Sequence, residues 1–284
     1  MNIKNVGVVG CGQMGGGIVE VSARAGYHVV VLEVNQAFLD KGMGNIAASL
    51  DRAAKKGRIT EEEKSNILSR IKGTTRFEDF KDCDLVIEAV IENMDEKKRV
   101  FGALDKACPP HAILASNTSC LSVLDMAMAT KRQPQVLGLH FFNPVPVMKI
   151  VEIVKTILTS DEVIETGRAF CNSIDKKSVL CKDTPGFIAN RLAIIVVIAT
   201  IRAYEQGLAT KEDIDLTMKL GLNHPMGPLE LADFIGLDTL YFIACAMYEE
   251  LKDPAYLPPV LLKKMVIAGQ LGRKSGKGFY DYSK

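Results

Sequence analysis

Ile3-Lys4-Asn5-Val6-Gly7-Val8-Val9-Gly10-Cys11-Gly12-Gln13-Met14-Gly15 is the stretch on which the fold turns. A short apolar run, Ile3 to Val9, meets a glycine-rich turn, and a helix-like segment from Gly17 to Ala25 follows. The glycines stand as G-x-G-x-x-G between a strand and a helix. In that setting the first permits a tight turn, the second lets backbone N–H groups approach a pyrophosphate, and the third lets helix and strand pack closely. The helix N-terminus adds unpaired N–H groups and the positive end of its dipole, which favour an anion. The next apolar run, Val29-Val30-Val31-Leu32, ends in Glu33, where such a unit places a carboxylate for the adenosine ribose hydroxyls. The expectation is a dinucleotide site at Gly10, Cys11, Gly12, Gln13, Met14, Gly15 and Glu33, the alternative being a glycine turn without a ligand.

Outward from this unit, Gln36 to Lys56 reads as a long helix with Phe38, Leu39, Met43, Ile46 and Leu50 on one side. Thr60-Glu61-Glu62-Glu63 is a capping box opening a second helix through Ile71. This inserted helical hairpin carries Lys55, Lys56 and Arg58 at its turn, by themselves a solvated charged end. Strands follow at Asp84 to Val90, Ala112 to Ser116 and Val136 to Phe141, with crossover helices at Asp95 to Ala107 and Ser122 to Ala129. Met148 to Val154 and Ser178 to Cys181 read as two further strands flanking a helix near Glu162 to Ser173. The ligand crevice of an open, mainly parallel sheet lies outside the carboxyl ends of its strands, so Glu33, Glu92, Ser119 and His140 are candidates to line it.

At Asp183-Thr184-Pro185-Gly186 the texture changes. Asp183 or Thr184 is suited to cap a helix whose first turn holds Pro185, and helices alone follow to Gly269. The expected class is α/β: a Rossmann-like N-terminal domain with an inserted helical hairpin over 1–183, and an all-α domain over 184–284. Leu192 to Ile201 is apolar all round, so it needs cover on most sides, from its own domain or from another subunit. A homodimer through the C-terminal helical domain is the expectation.

Composition excludes several classes. The 284 residues carry a formal net charge of +1, too little for electrostatic binding of nucleic acid or an anionic membrane. Met1 to Asn5 passes straight into a strand without a signal peptide's apolar region. The run Leu192 to Ile201 falls well short of the ~18 residues of a membrane span. Seven scattered cysteines lack the spacing of a metal or thiol-exchange site, which points to a reduced cytoplasm and no metal.

Of the four histidines, His28, His111 and His224 read as solvated or locally bonded. His140 ends an apolar strand at the carboxyl edge of the sheet and precedes Phe141-Phe142-Asn143-Pro144-Val145-Pro146. In the next strand Glu152 is a lone acid in an apolar run, expensive to bury without a partner. If the prolines fold that strand back beside its predecessor, Glu152 reaches the imidazole. Such a dyad suits alcohol oxidation, in which a base takes the hydroxyl proton as a hydride leaves the same carbon. A solvent-facing Glu152 and a structural His140 are the alternative.

The runs Ala115-Ser116-Asn117-Thr118-Ser119, Gly138-Leu139-His140-Phe141-Phe142-Asn143-Pro144, Asp183-Thr184-Pro185-Gly186-Phe187-Ile188-Ala189-Asn190-Arg191, His224-Pro225-Met226-Gly227-Pro228 and Gly272-Arg273-Lys274-Ser275-Gly276-Lys277-Gly278-Phe279-Tyr280 together resemble the L-3-hydroxyacyl-CoA dehydrogenases. The similarity is strongest to their stand-alone bacterial 3-hydroxybutyryl-CoA branch. The resemblance implies interconversion of (S)-3-hydroxybutyryl-CoA and acetoacetyl-CoA with NAD(H), His140 as catalytic base and Glu152 as its paired acid. It further implies Ser119 and Asn190 at the substrate's oxygen and thioester, and Asn143 near the nicotinamide. Glu92, Lys97 and Lys274 become further cofactor contacts, with Ser119 also beside the cofactor. Ser49 and Lys56 become contacts of coenzyme A, turning the basic end of the hairpin into a phosphate clamp. Glu33 stands where many members have aspartate, which keeps NAD favoured over NADP because it repels a 2′-phosphate. Cys120 stands where serine is common. A longer-chain dehydrogenase and a non-catalytic relative are the competing readings; a lysine-based hydroxy-acid dehydrogenase is disfavoured by Asn190.

Overall fold

The computed structural model describes residues 3–283. Met1, Asn2 and Lys284 lie outside the described residues, so the reading of the leaderless start falls partly outside them. β1 (Asn5–Val9) leads through the glycine turn into α1 (Gln13–Arg24) and back to β2 (His28–Leu32), parallel to β1 with Val9 opposite Leu32. α2 (Gln36–Lys55) and α3 (Glu61–Ser69) form the inserted hairpin. Asn35 caps α2 by accepting from the Phe38 N–H, and Thr60 and Glu63 make the reciprocal capping box of α3.

The second helix stops at Ser69, short of the expected Ile71, and Ile71–Thr74 is instead a strand, β3, parallel to β2 at the sheet edge. Lys72 and Gly73 are both exposed there, so the strand lacks the alternation that betrays one. The chain continues through β4 (Leu85–Glu88), α4 (Met94–Ala107), β5 (Ile113–Ser116), α5 (Val123–Ala127), β6 (Val136–Phe141), β7 (Ile150–Lys155), α6 (Asp161–Ser173) and β8 (Lys177–Lys182). The eight strands lie in the order β3-β2-β1-β4-β5-β6-β7-β8, and β6–β7 is the antiparallel pair among the described residues. One face packs Ile18, Leu50 and Phe170 from α1, α2 and α6; the other packs Phe101, Leu104 and Met126 from α4 and α5.

This unit ends at Phe187, and a second compact unit begins at Ile188. The second holds α7 (Ala189–Glu205), α8 (Lys211–Gly221), α9 (Pro228–Ile235), α10 (Leu237–Leu251) and α11 (Val260–Ile267). Its core joins Val197, Ile198 and Ile201 of α7 to Leu229, Leu240 and Leu262. Leu192 is 59% exposed, so α7 is not covered all round by its own unit. No single helix among the described residues is long and apolar enough to cross a membrane.

Asp183 corrects the expected cap. Its carboxylate accepts from the Val123 and Leu124 N–H groups at 3.1 and 2.7 Å, so it caps α5 across the sheet domain. α7 starts later, behind Ile188, without a side-chain cap, and Pro185 lies in the turn before it. A carboxylate brought to a helix N-terminus by tertiary folding leaves no local sequence signal.

Candidate active site

The glycine turn is shaped by close approach. Gly10 has φ +96°, and a Cβ there would stand 2.7 Å from the Ala89 carbonyl oxygen; a Cβ on Gly15 would stand 1.9 Å from that of Gly10. Gly12 differs, since a Cβ there would meet nothing within 4 Å, leaving open space beside the N-terminus of α1. That terminus has no side-chain cap and no acidic residue in its first turn, so its positive end is left to an anion.

Glu33, just beyond β2, accepts from the Cys11 N–H at 2.7 Å and the Val34 N–H at 3.1 Å. It borders a cavity of about 190 Å³ shared with Gly10, Val34, Thr75, Phe77 and Val90. An open anion site at a helix terminus, an adjoining cavity and an oriented carboxylate fit the adenosine diphosphate half of a dinucleotide. Burial, then Glu33, push the Cys11 thiol up to about 11.

Beside the turn, at the ends of β4 and β5, lies a polar network. Glu88 is fully buried and accepts from the Lys97 ammonium at 2.6 Å, the Ser116 hydroxyl at 2.6 Å and the Val90 N–H at 2.7 Å. Lys97 also reaches Glu92 at 3.2 Å, and Glu92 accepts from the Thr118 hydroxyl at 2.6 Å and the Ser119 N–H at 2.8 Å. Burial raises the Glu92 pKa, but Thr118, Lys97 and the Ser119 N–H together outweigh it and hold the carboxyl below its ordinary value. The Lys97 side chain is only 1% exposed, so its charge is spent on Glu88 and Glu92 and reaches a ligand through them. Ser119 and Cys120 are exposed; desolvation and Glu92 push the Cys120 thiol up to about 11.

Two strands onward, the antiparallel return places Glu152 directly opposite His140. Directly paired residues project from the same face of a sheet, and the His140 Nδ1 stands 2.7 Å from Glu152 Oε2. Both residues are buried. With a carboxylate facing Nδ1, that nitrogen carries the hydrogen and Nε2 is left to exchange a proton. Phe142 and Phe187 flank the imidazole with ring centroids at 4.8 and 5.6 Å, and the Phe141 N–H donates to the Asn117 side chain at 2.9 Å.

The turn between these strands holds a cis Asn143–Pro144 bond. The Gln13 amide donates to Asn143 Oδ1 at 3.1 Å, tying the glycine turn to this loop. The buried Lys176 ammonium donates to the Val145 and Met148 carbonyls at 2.7 and 2.6 Å. Asn143, Pro144 and Val145 line a cavity of about 320 Å³ together with Ser49 and Arg52 of α2. Lys56, the exposed C-cap of α2, does not border this cavity and lies at the hairpin's end.

In the helical unit, Asn190 is half-buried in the first turn of α7. Lys274 lies in the C-terminal segment and forms an ion pair with Asp238. Asp233 pins that segment by accepting from the Phe279 and Tyr280 N–H groups.

Sequence reasoning missed Glu88, Arg52 and Lys176. Glu88 carries the same signal as Glu152, a lone acid in an apolar strand. Arg52 follows Ser49 by three residues and precedes Lys56 by four, the spacing of one helix face. For Lys176, whose partners are backbone carbonyls, no sequence signal exists.

Residues 5–184 match the family model described as "3-hydroxyacyl-CoA dehydrogenase, NAD binding domain", and residues 186–282 match its C-terminal domain. The chain is 49% identical over 282 residues to a 3-hydroxybutyryl-CoA dehydrogenase of Mycobacterium tuberculosis, covering 99% of each. It is 46% identical over 277 residues to one of Clostridioides difficile, covering 98% of this chain and 99% of the relative. The crystal structure of (S)-3-hydroxybutyryl-CoA dehydrogenase PaaH1 from Ralstonia eutropha superposes with a TM-score of 0.97 at 43% identity, with complete coverage of both chains.

Proposed function

The chain belongs to the 3-hydroxyacyl-CoA dehydrogenase family, and from that premise we propose that it interconverts (S)-3-hydroxybutyryl-CoA and acetoacetyl-CoA with NAD(H), using His140 as general acid and base. The observation that carries this reading is the buried 2.7 Å contact between His140 and Glu152. Held at Gly10 to Gly15 and Glu33, NAD(H) would supply the hydride chemistry of the reaction.

The residues divide the remaining work. His140 takes the 3-hydroxyl proton at Nε2 in the oxidative direction and returns it in the reductive one. Glu152 holds Nδ1–H and stabilises the imidazolium that results, fixing the ring's orientation. Ser119 holds the substrate oxygen that gains negative charge. Gly10 to Gly15 and Glu33 bind the adenosine diphosphate half of the cofactor, and Asn143 completes its contacts. Ser49, Arg52 and Lys56, on one face of α2, bind coenzyme A.

A second copy on the helical domain is supported by its exposed apolar side chains, among them Leu192, Leu220 and Phe242. Seven unpaired cysteines support a reducing cytoplasm. The reaction is tested by following NADH absorbance with acetoacetyl-CoA, and again with NADPH. Rapid loss with NADH and much slower loss with NADPH is expected. No loss from protein that still binds NADH overturns the assignment. A light-scattering mass of one chain at micromolar concentration overturns the dimer.

A further inference from the structure

We propose that Glu88 is a positioning residue for this reaction, holding Ser119 in place both through Ser116 and through Lys97 and Glu92; the inference rests on the dehydrogenase reading above. Glu88 ends β4 and pairs in register with Ser116, the last residue of β5. It faces no solvent, yet two paths of hydrogen bonds lead from it to the loop that carries Ser119. One runs through the Ser116 hydroxyl, which donates to Glu88 and accepts from the Thr118 N–H at 3.1 Å. The other runs through the Lys97 ammonium to Glu92, which holds the Thr118 hydroxyl and the Ser119 N–H.

A buried ion pair is a poor device for stability alone, because desolvation offsets much of its attraction and an apolar pair of similar volume does as well. Its advantage is geometric. Lys97 has two carboxylates as partners, Glu88 wholly buried and Glu92 39% exposed. The buried carboxylate fixes the ammonium, and the ammonium fixes the carboxylate at the rim, whose other oxygen takes the Ser119 N–H. Without Glu88, the ammonium turns wholly to Glu92 and draws it away from the Ser119 loop. Glu88 touches no reacting atom; it sets where Ser119 stands.

The test compares Glu88→Gln, Lys97→Met and the double variant with wild type by three readouts: thermal midpoint, kcat/KM with acetoacetyl-CoA and NADH, and hydrogen exchange of the Ser119 amide. Each single variant leaves one buried charge short of its partner and lowers the midpoint; the double variant removes both charges and regains most of it. Activity should not follow. In the double variant kcat/KM stays about 10–100-fold below wild type, and Ser119 exchanges about tenfold faster or more. Recovery of activity and protection together with stability would reduce Glu88 to a structural residue and overturn the proposal. Where a Glu88 variant does not fold, Ser116→Ala cuts the shorter path alone; unchanged exchange at Thr118 and Ser119 in that variant counts against the proposal equally. If wild type itself turns over nothing, the dehydrogenase reading fails, while the exchange data still decide whether Glu88 holds the Ser119 loop.

Discussion

Nδ1 of His140 lies 2.7 Å from a carboxylate oxygen of Glu152, its direct partner across the antiparallel pair of the sheet. One contact therefore sets both the tautomer and the orientation of the imidazole. Glu152→Gln keeps the shape but permits the opposite tautomer, with Nε2 protonated and unable to act as a base. The kcat for hydroxyacyl oxidation should fall between about 10²-fold and about 10⁴-fold while the affinity for NADH, read by fluorescence titration, changes little. A loss of less than tenfold would separate Glu152 from the chemistry.

Glu33 accepts from the Cys11 and Val34 N–H groups and, in the proposed reading, presents a negative charge where adenosine binds. Replacing it by serine removes a charged acceptor, so kcat/KM with NADH should drop about 10–100-fold. Discrimination against NADPH should weaken in the same variant, since the repulsion of a 2′-phosphate is gone. Steady-state kinetics with both cofactors reads the two effects; an unchanged ratio between them counts against the assignment.

Acid should act on Glu92. Its carboxyl titrates in the folded protein below its ordinary value of 4.5, so its contribution to stability is complete above that value. The contribution is lost as pH falls through the lower, folded value. The gap in urea midpoint between wild type and Glu92→Gln should be constant near neutrality and should close on acidification below 4.5.

Asp183 caps α5 from a distant part of the chain. Asp183→Ala should cost about 1–2 kcal/mol of stability, measured by urea unfolding. A cost near zero would mean that water replaces the cap without loss.

The sequence is legible where chemistry is local. The glycine turn with its following strand and Glu33, the capping box at Thr60 and Glu63, and the lone acid Glu152 opposite His140 each follow from spacing or from the expense of an isolated polar group. β3 is not legible, because Lys72 and Gly73 face solvent together and the strand is recognisable only by its pairing with β2. Asp183 misleads for a related reason: a capping residue shows its type but not which helix it will meet. The Glu88–Lys97 pair lies between these cases, since an acid inside an apolar strand announces a partner without saying which cation supplies it.

Whether His140 moves the substrate proton is read from the single-turnover rate of NADH oxidation by acetoacetyl-CoA in His140→Ala and His140→Gln beside wild type. NADH binding in both variants is first checked by fluorescence. Binding should persist and the rate should fall about 10²–10⁴-fold. A rate within tenfold of wild type, from variants that bind NADH normally, would remove His140 from the proton transfer.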